Sequence, residues 1–294
     1  MNNHRCKTKI ALLTMLGATL AMHLPAMAQE RDLAAEARDP TASVLSLQIQ
    51  YWLTTDFHGM TGADQGTVVL RPVIPYEFMG QKHLSRITFP VITHGPDVEY
   101  LADQIGADAD DLTNGGTAPY YVPTKDKGGL SDTTWLDLFL FPFSAGRWGL
   151  GPVLVIPTAT DPALGSEKWQ LGPAGVIIAK AGNLQYGFLS QWFLSVAGES
   201  DRDDINNLAM QPFASYGIGK SGWSIGTSDM NCAYDFENGR WSSLALGARL
   251  EKLMVFGKTN TRVFGEVEYN FADDKIGPEW TWRFNIAPLI PMGK

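Results

Sequence analysis

Past residue 40 the apolar and polar positions alternate with a period of two. Over 44–52, Leu45, Leu47, Ile49 and Tyr51 fall on one side, and Ser46, Gln48 and Gln50 on the other. Over 67–78, Val68, Leu70, Pro72, Ile74, Tyr76 and Phe78 oppose Thr67, Arg71 and Glu77. Over 83–92, Ile87, Phe89 and Val91 oppose Arg86 and Thr88. Toward the end, Val263, Gly265, Val267, Tyr269 and Phe271 oppose Arg262, Glu266, Glu268 and Asn270, and Trp280, Trp282, Phe284, Ile286 and Ile290 oppose Thr281, Arg283 and Asn285. Strict alternation marks strands with one apolar face. Further strands are expected at 133–143, 147–157, 169–180, 184–197, 208–218, 223–234 and 241–250, about twelve in all. Two are irregular. In 133–143, Leu136, Leu138 and Leu140 alternate with Trp135, Asp137, Phe139 and Phe141, so both faces are largely apolar; in 223–234 the pattern fades after Trp223 and Ile225.

A soluble sandwich also alternates, but three features favour a closed antiparallel transmembrane β-barrel. The segments are long enough to cross a bilayer at a tilt, which takes about 9–11 residues, whereas globular strands average about 5–6. Aromatics gather near segment ends (Tyr51, Trp52, Tyr76, Phe78, Trp135, Phe141, Phe143, Trp148, Trp169, Trp223, Trp241, Trp280 and Trp282), as interface girdles require. The connections alternate as well. Short ones are expected at 79–82, 144–146, 181–183, 219–222 and 251–259, and mostly longer ones at 53–66, 93–132, 158–168, 198–207, 235–240 and 272–279. Short turns at one end and longer loops at the other fit a bacterial outer-membrane barrel with the short turns in the periplasm. Lipid supplies no hydrogen bonds, so a spanning sheet must close on itself. Prolines 72, 75, 90, 142, 152, 173, 212 and 288 run against long strands, and the expectation is that many sit at bulges or rims.

The N-terminus changes the compartment. Arg5, Lys7 and Lys9 precede an apolar stretch from Ile10 to Leu24, then Pro25 and Ala26-Met27-Ala28. This is the form of a secretory signal cleaved after Ala28. Residues 29–40 read as a short periplasmic leader, and 41–294 as the barrel, with a long outer loop at 93–132. Composition narrows the classes further. Charged residues are only 18% of the 294-residue chain, which has 30 glycines and 32 aromatics, so disorder is excluded. A net charge of −8 argues against nucleic-acid binding. The two cysteines, Cys6 and Cys232, make neither a disulfide scaffold nor a cysteine zinc site.

Several stretches then resemble one family. Val73-Ile74-Pro75 and Arg86-Ile87-Thr88-Phe89-Pro90-Val91-Ile92 are similar to a recurring pattern of the family named for the MetA pathway of phenol degradation. The likeness continues at Trp148 to Pro152, Ile156 to Thr160, Leu164 to Trp169, Gly172-Pro173-Ala174, Ser195 to Gly198, Asp201-Arg202, Leu208 to Pro212 and Gly277 to Trp280. It spans roughly 40–294. The resemblance implies an outer-membrane channel or transporter-like barrel without supplying a substrate. The chain departs from the usual aromatic terminus, ending Pro291-Met292-Gly293-Lys294, so the assembly signal is atypical or shifted to Phe284.

Chemistry is sparse. The histidines of the mature chain are His58, His83 and His94, with His58 and His94 expected on outer loops and His83 on the periplasmic side. An outer-membrane lipase would need a serine and a histidine paired on the outer wall near the rim, with an orienting polar group. His94, in Thr93-His94-Gly95-Pro96, has no such neighbours in sequence, and no Gly-x-Ser-x-Gly occurs. Gly219-Lys220-Ser221 imitates the end of a phosphate loop, but Ala214 stands where glycine is required. The run Asp97, Glu99, Asp103, Asp108, Asp110 and Asp111 lacks calcium-loop spacing and reads as a solvated outer loop. The stronger signal is the inward face. Gln48, Gln50, Arg71, Arg86, Asp137, Lys180, Arg249, Arg262, Glu266, Glu268 and Arg283 are the candidate lumen-lining residues. Buried charges must be paired or wet. If the last two strands and the first are neighbours, Arg262, Glu266, Glu268, Arg283, Gln48 and Gln50 form one polar wall, either as packing or as pore lining. The expectation is a cylinder apolar outside and hydrophilic within: a non-enzymatic channel for small solutes, hydrophobic or aromatic ones included, using no cofactor and embedded in outer-membrane lipid. The alternatives are a lipase-like barrel, or a structural or adhesive barrel acting through its outer loops.

Overall fold

The computed structural model describes residues 44–98, 101, 126–219, 221–273 and 276–291. The expected signal segment, the 29–40 leader, most of the 93–132 loop with the acidic run beyond Asp97, and the terminal residues 292–294 lie outside the described residues.

The strands are β1 (Val44–His58), β2 (Gln65–Phe78), β3 (Gln81–His94), β4 (Gly129–Leu130), β5 (Thr133–Phe143), β6 (Gly146–Ile156), β7 (Lys168–Ala181), β8 (Leu184–Gly198), β9 (Asn206–Ile218), β10 (Trp223–Thr227), β11 (Cys232–Asp235), β12 (Arg240–Ser243), β13 (Ala245–Phe256), β14 (Thr259–Asn270) and β15 (Gly277–Pro291). Chain neighbours pair antiparallel around the wall, and β15 pairs with β1, which closes the sheet. Two wall strands are broken. β10 and β11 both run along β9, at Ser215–Ile218 and Asn207–Met210 respectively, so they are two pieces of one wall strand. β12 and β13 are separated by Leu244 alone. β4 lies off the wall against β3. Counted this way the barrel has twelve strands, and the unbroken ones run 11 to 15 residues.

Turn chemistry explains the short end. Between β2 and β3, Met79 (φ 51) and Gly80 (φ 75) are both left-handed, the geometry of a two-residue hairpin turn whose twist matches its strands. The expected nine-residue link at 251–259 is in fact two residues, Gly257 and Lys258, because β13 continues to Phe256. That restores the short-turn rule where the sequence pattern broke it.

The outer face is apolar across its middle, where Ile49, Leu70, Leu150, Ile177, Leu250 and Ile286 are exposed. Exposed aromatics border it at both ends. Phe78, Phe143, Trp148, Tyr186, Tyr216 and Trp223 ring the short-turn end; Trp169, Phe236, Trp241, Phe271 and Trp280 ring the long-loop end. This is the exterior expected of a barrel in hydrocarbon. Among the described residues no helix is long and apolar enough to cross a membrane.

None of prolines 72, 75, 90, 142, 152, 173, 212 and 288 lies at a bulge, and Pro142 sits at the short-turn rim, one residue from the end of β5. Register shifts occur beside Asp56, Gly66, Trp169 and Ala233 instead. Pro152 faces Pro173 across β6 and β7, so the missing donors fall together. Near them the strands crowd: a Cβ on Gly151 would strike the Asp137 carbonyl, and one on Gly172 the Trp192 carbonyl. Only glycine permits that approach.

At the long-loop end Phe57, Met60, Ala63, Leu101 and Ile276 form a small buried cluster with Val98 against it. It seats the beginning of the long loop on the end of β1. Lys127 ties the returning segment down, with Nζ 2.6 Å from Asp161 Oδ2 and 3.8 Å from Asp97 Oδ2.

Candidate functional site

The lumen has two unlike walls. One is charged and built by β13, β14, β15 and β1, which are consecutive in the sheet. Its centre is Glu266, whose side chain is fully buried. Arg283 Nη1 donates to Glu266 Oε1 at 3.0 Å, and Nη2 to Glu268 Oε1 at 2.9 Å. Arg249 Nε donates to Glu266 Oε2 at 2.7 Å. Arg262 Nε lies 3.7 Å from Glu251 Oε2. The register explains the grouping: Glu266 is directly opposite both Arg249 on β13 and Arg283 on β15. Aromatic faces support the guanidiniums. Arg249 lies 4.1 Å and Arg262 5.2 Å from the Phe264 ring, and Arg283 and Arg71 lie 5.0 and 5.5 Å from the Trp52 ring. Trp52 Nε1 donates to Gln50 Oε1 at 2.6 Å, and Gln50 Nε2 to Gln48 Oε1 at 2.9 Å.

The break between β10 and β11 completes this wall. Residues 228–231 leave the sheet, with Met230 in a left-handed conformation (φ 41). Ser228 is buried, and its Oγ donates to Glu268 Oε2 at 2.9 Å; Met230 N donates to the same oxygen at 2.9 Å. Those bonds fix the excursion so that Asp229 enters the lumen. Its Oδ1 accepts from Arg249 Nη2 at 2.6 Å, and its Oδ2 from Arg71 Nη1 at 3.3 Å. Among the described residues four arginines (71, 249, 262 and 283) thus face four carboxylates (Asp229, Glu251, Glu266 and Glu268), so their charges balance. A buried network of this kind is tolerable because each charge has an opposite charge beside it.

The other wall is apolar. Val73, Leu84, Leu136, Leu138, Leu140, Val153, Ala174, Val176, Ile178 and Leu189 form one buried cluster across β2, β3 and β5–β8, with Phe193 and Phe213 packed on it. The expectation of a hydrophilic interior is therefore corrected: β2, β3 and β5–β8 line it with apolar side chains. Between the walls is a cavity of about 160 Å³, bordered by Leu136, Leu138 and Phe213 on one side and Arg71, Asp229 and Arg249 on the other. Arg86 stands on the apolar side. Its Nη2 donates to Gln191 Oε1 at 3.1 Å, its Nε is buried without a hydrogen-bond partner, and no carboxylate among the described residues pairs with it.

The structure brings Gln48, Gln50, Arg71, Arg86, Arg249, Arg262, Glu266, Glu268 and Arg283 to the inside of the barrel, and Asp137 goes elsewhere. Lys180 shares the inward face of Ala174, Val176 and Ile178 on β7 and sits exposed at the short-turn rim. Asp137 is on the outer face, because its neighbours Leu136 and Leu138 take the inward positions on β5. There it accepts from Tyr76 Oη at 2.5 Å and lies 3.0 Å from His83 Nδ1. The His83 ring is stacked on Tyr76 (4.8 Å between centroids) and tilted against Phe139 (4.3 Å). Ser85, two residues on, uses its Oγ to accept from Trp135 Nε1 at 2.8 Å. The other histidines bond locally: His94 Nε2 to Asp64 Oδ2 at 2.9 Å, and His58 Nε2 to the Asn270 carbonyl at 2.7 Å. Among the described residues no group of three His, Cys, Asp or Glu could hold a metal ion.

Sequence reasoning missed Asp229, Glu251, Phe264 and Trp52. Trp52 was expected in the girdle, but its even position shares the inward face of Gln48 and Gln50. The fading alternation after Ile225 was the trace of the excursion that carries Asp229.

No protein-family model matches the chain, and no curated protein matches it in sequence. Among solved structures the chain is similar to an outer membrane channel from Pseudomonas putida F1, with a TM-score of 0.56 at 12% identity, covering 84% of this chain and 94% of that one. A KdgM porin matches at a TM-score of 0.42 and 10% identity, over 83% of this chain and 98% of the porin. The outer membrane phospholipase A of Escherichia coli matches at 0.42 and 9%, over 84% and 92%. The first likeness shows the shared barrel fold.

Proposed function

We propose that the chain is a narrow channel of the bacterial outer membrane that passes small solutes without chemistry. The observation that carries this reading is the cavity between a charged and an apolar wall, inside a closed barrel whose exterior is apolar and bordered by aromatics. Polar and apolar surface face each other across that space. The fold shared with the Pseudomonas channel and the resemblance to the MetA-pathway family support the same reading. The short-turn end faces the periplasm, and residues 1–28 are the export signal, removed after Ala28.

The hydrolase alternative meets a specific obstacle. Its natural seat is the outer-wall group of Asp137, His83 and Ser85. A serine nucleophile needs its hydroxyl bonded to the histidine, whereas the Ser85 Oγ is engaged by Trp135 and aromatic rings lie over His83. The group serves instead to give the Asp137 carboxylate hydrogen-bond partners on a lipid-facing wall.

Reconstitution tests the reading. The purified, heat-modifiable protein should give discrete current steps in planar bilayers in KCl, and His83→Ala should leave their size unchanged. Folded protein without current above background would refute the channel.

A further inference from the structure

The charged wall balances its own charges, which leaves Arg86 as a cation set among leucines. A guanidinium in that position is costly unless it is wet or paired. Its surroundings are specific. β2 and β3 pair Val73 with Arg86, so Arg71, two residues away on the same inward face, is its diagonal neighbour, within reach of a small shared ligand. Gln191 holds one end of the guanidinium from across the lumen, at 3.1 Å. Next to it, Leu84, Leu136, Leu138 and Phe213 border the cavity. At about 160 Å³ the cavity is close in volume to an engineered apolar cavity that admits one benzene ring.

We propose that this is a binding site for small aromatic monocarboxylates, with the carboxylate on Arg86 and the ring on the leucine wall. The inference rests on the channel reading and deepens it by giving the class of solute. A planar guanidinium matches a carboxylate in two parallel hydrogen bonds, and the unpartnered Nε of Arg86 is one of the donors free to make them. Arg71 stands beside the site already paired with Asp229, so the net charge offered to the ligand is that of Arg86. The apolar wall supplies the rest of the affinity and excludes hydrated inorganic anions, which offer it nothing. Neither half suffices alone: a neutral aromatic leaves Arg86 unpaired, and a short aliphatic acid leaves the leucines uncovered.

Equilibrium binding separates this from conduction. Calorimetric titration of the detergent-folded full barrel would use sodium benzoate, benzyl alcohol and sodium acetate as probes, on the wild type and on Arg86→Gln. Benzoate should bind the wild type at least tenfold more tightly than either benzyl alcohol or acetate, and Arg86→Gln should remove that advantage over benzyl alcohol. Equal binding of benzoate and benzyl alcohol by the wild type would overturn the proposal, as would benzoate binding unchanged in folded Arg86→Gln, or no benzoate binding at all. Should Arg86→Gln fail to fold, the three wild-type titrations decide the matter. Because binding is read without current, a barrel that conducts but does not discriminate benzoate refutes the site alone, and one that never conducts refutes the channel.

Discussion

The two walls of the lumen solve the same problem in opposite ways. On the charged side each wall residue that cannot be left alone is bound to another: Glu266 holds Arg249 and Arg283, Glu268 holds Arg283 and Ser228, and Asp229 bridges to Arg71. On the apolar side the residues interlock only by shape, as Leu136, Leu138, Val153 and Ile178 do. The first wall is directional and brittle, since removing one member strands its partners. The second is tolerant, since a smaller side chain leaves only space. Arg86 is instructive because it is a residue of the first kind placed in the second wall.

The largest effect should come from the charged side. Glu266→Ala leaves Arg249 and Arg283 without their shared carboxylate, and unfolding by urea in lipid vesicles should show a loss of about 3–5 kcal/mol. Leu138→Ala on the opposite wall should cost less, about 2–3 kcal/mol, because the loss is packing and cavity alone; the same variant should widen the path. An equal or larger loss than for Glu266→Ala would break the comparison. The outer wall offers an intermediate case. Tyr76→Phe removes the hydroxyl that donates to Asp137 while His83 still serves the carboxylate, so the same unfolding measurement should register about 1.5 kcal/mol. Asp229→Asn keeps the shape and one acceptor, so it should cost less than Glu266→Ala in the same unfolding measurement, though it too strands part of the charged wall. Its effect should also appear as a shift of the reversal potential toward anion selectivity under a salt gradient, since Arg71 and Arg249 lose their counter-charge.

The alternation rule read most of this architecture directly, and the reason is geometric: a barrel wall buries one face and wets the other, so each strand carries its own orientation in its period. It placed Arg262, Glu266, Glu268 and Arg283 together because their strands are consecutive in the chain and so adjacent in the sheet. It misplaces Asp137 because both faces of β5 are apolar, so the period alone does not say which one turns inward, and packing puts Leu136 and Leu138 there. It missed Asp229 because that residue reaches the lumen from an excursion, where no strand period applies. The apolar wall was unreadable for a related cause. Inward leucines on β5 and inward valines on β6 look like outward ones until closure shows which side is which.

The most direct test is single-channel recording in planar bilayers under a KCl gradient, comparing the wild type with Leu138→Ala and Asp229→Asn. Leu138→Ala should raise the conductance and leave the reversal potential in place, while Asp229→Asn should move the reversal potential toward the anion side with little change in conductance. Folded barrels that carry no current in any of the three forms, or substitutions that alter the same property from either wall, would contradict a lumen divided in this way.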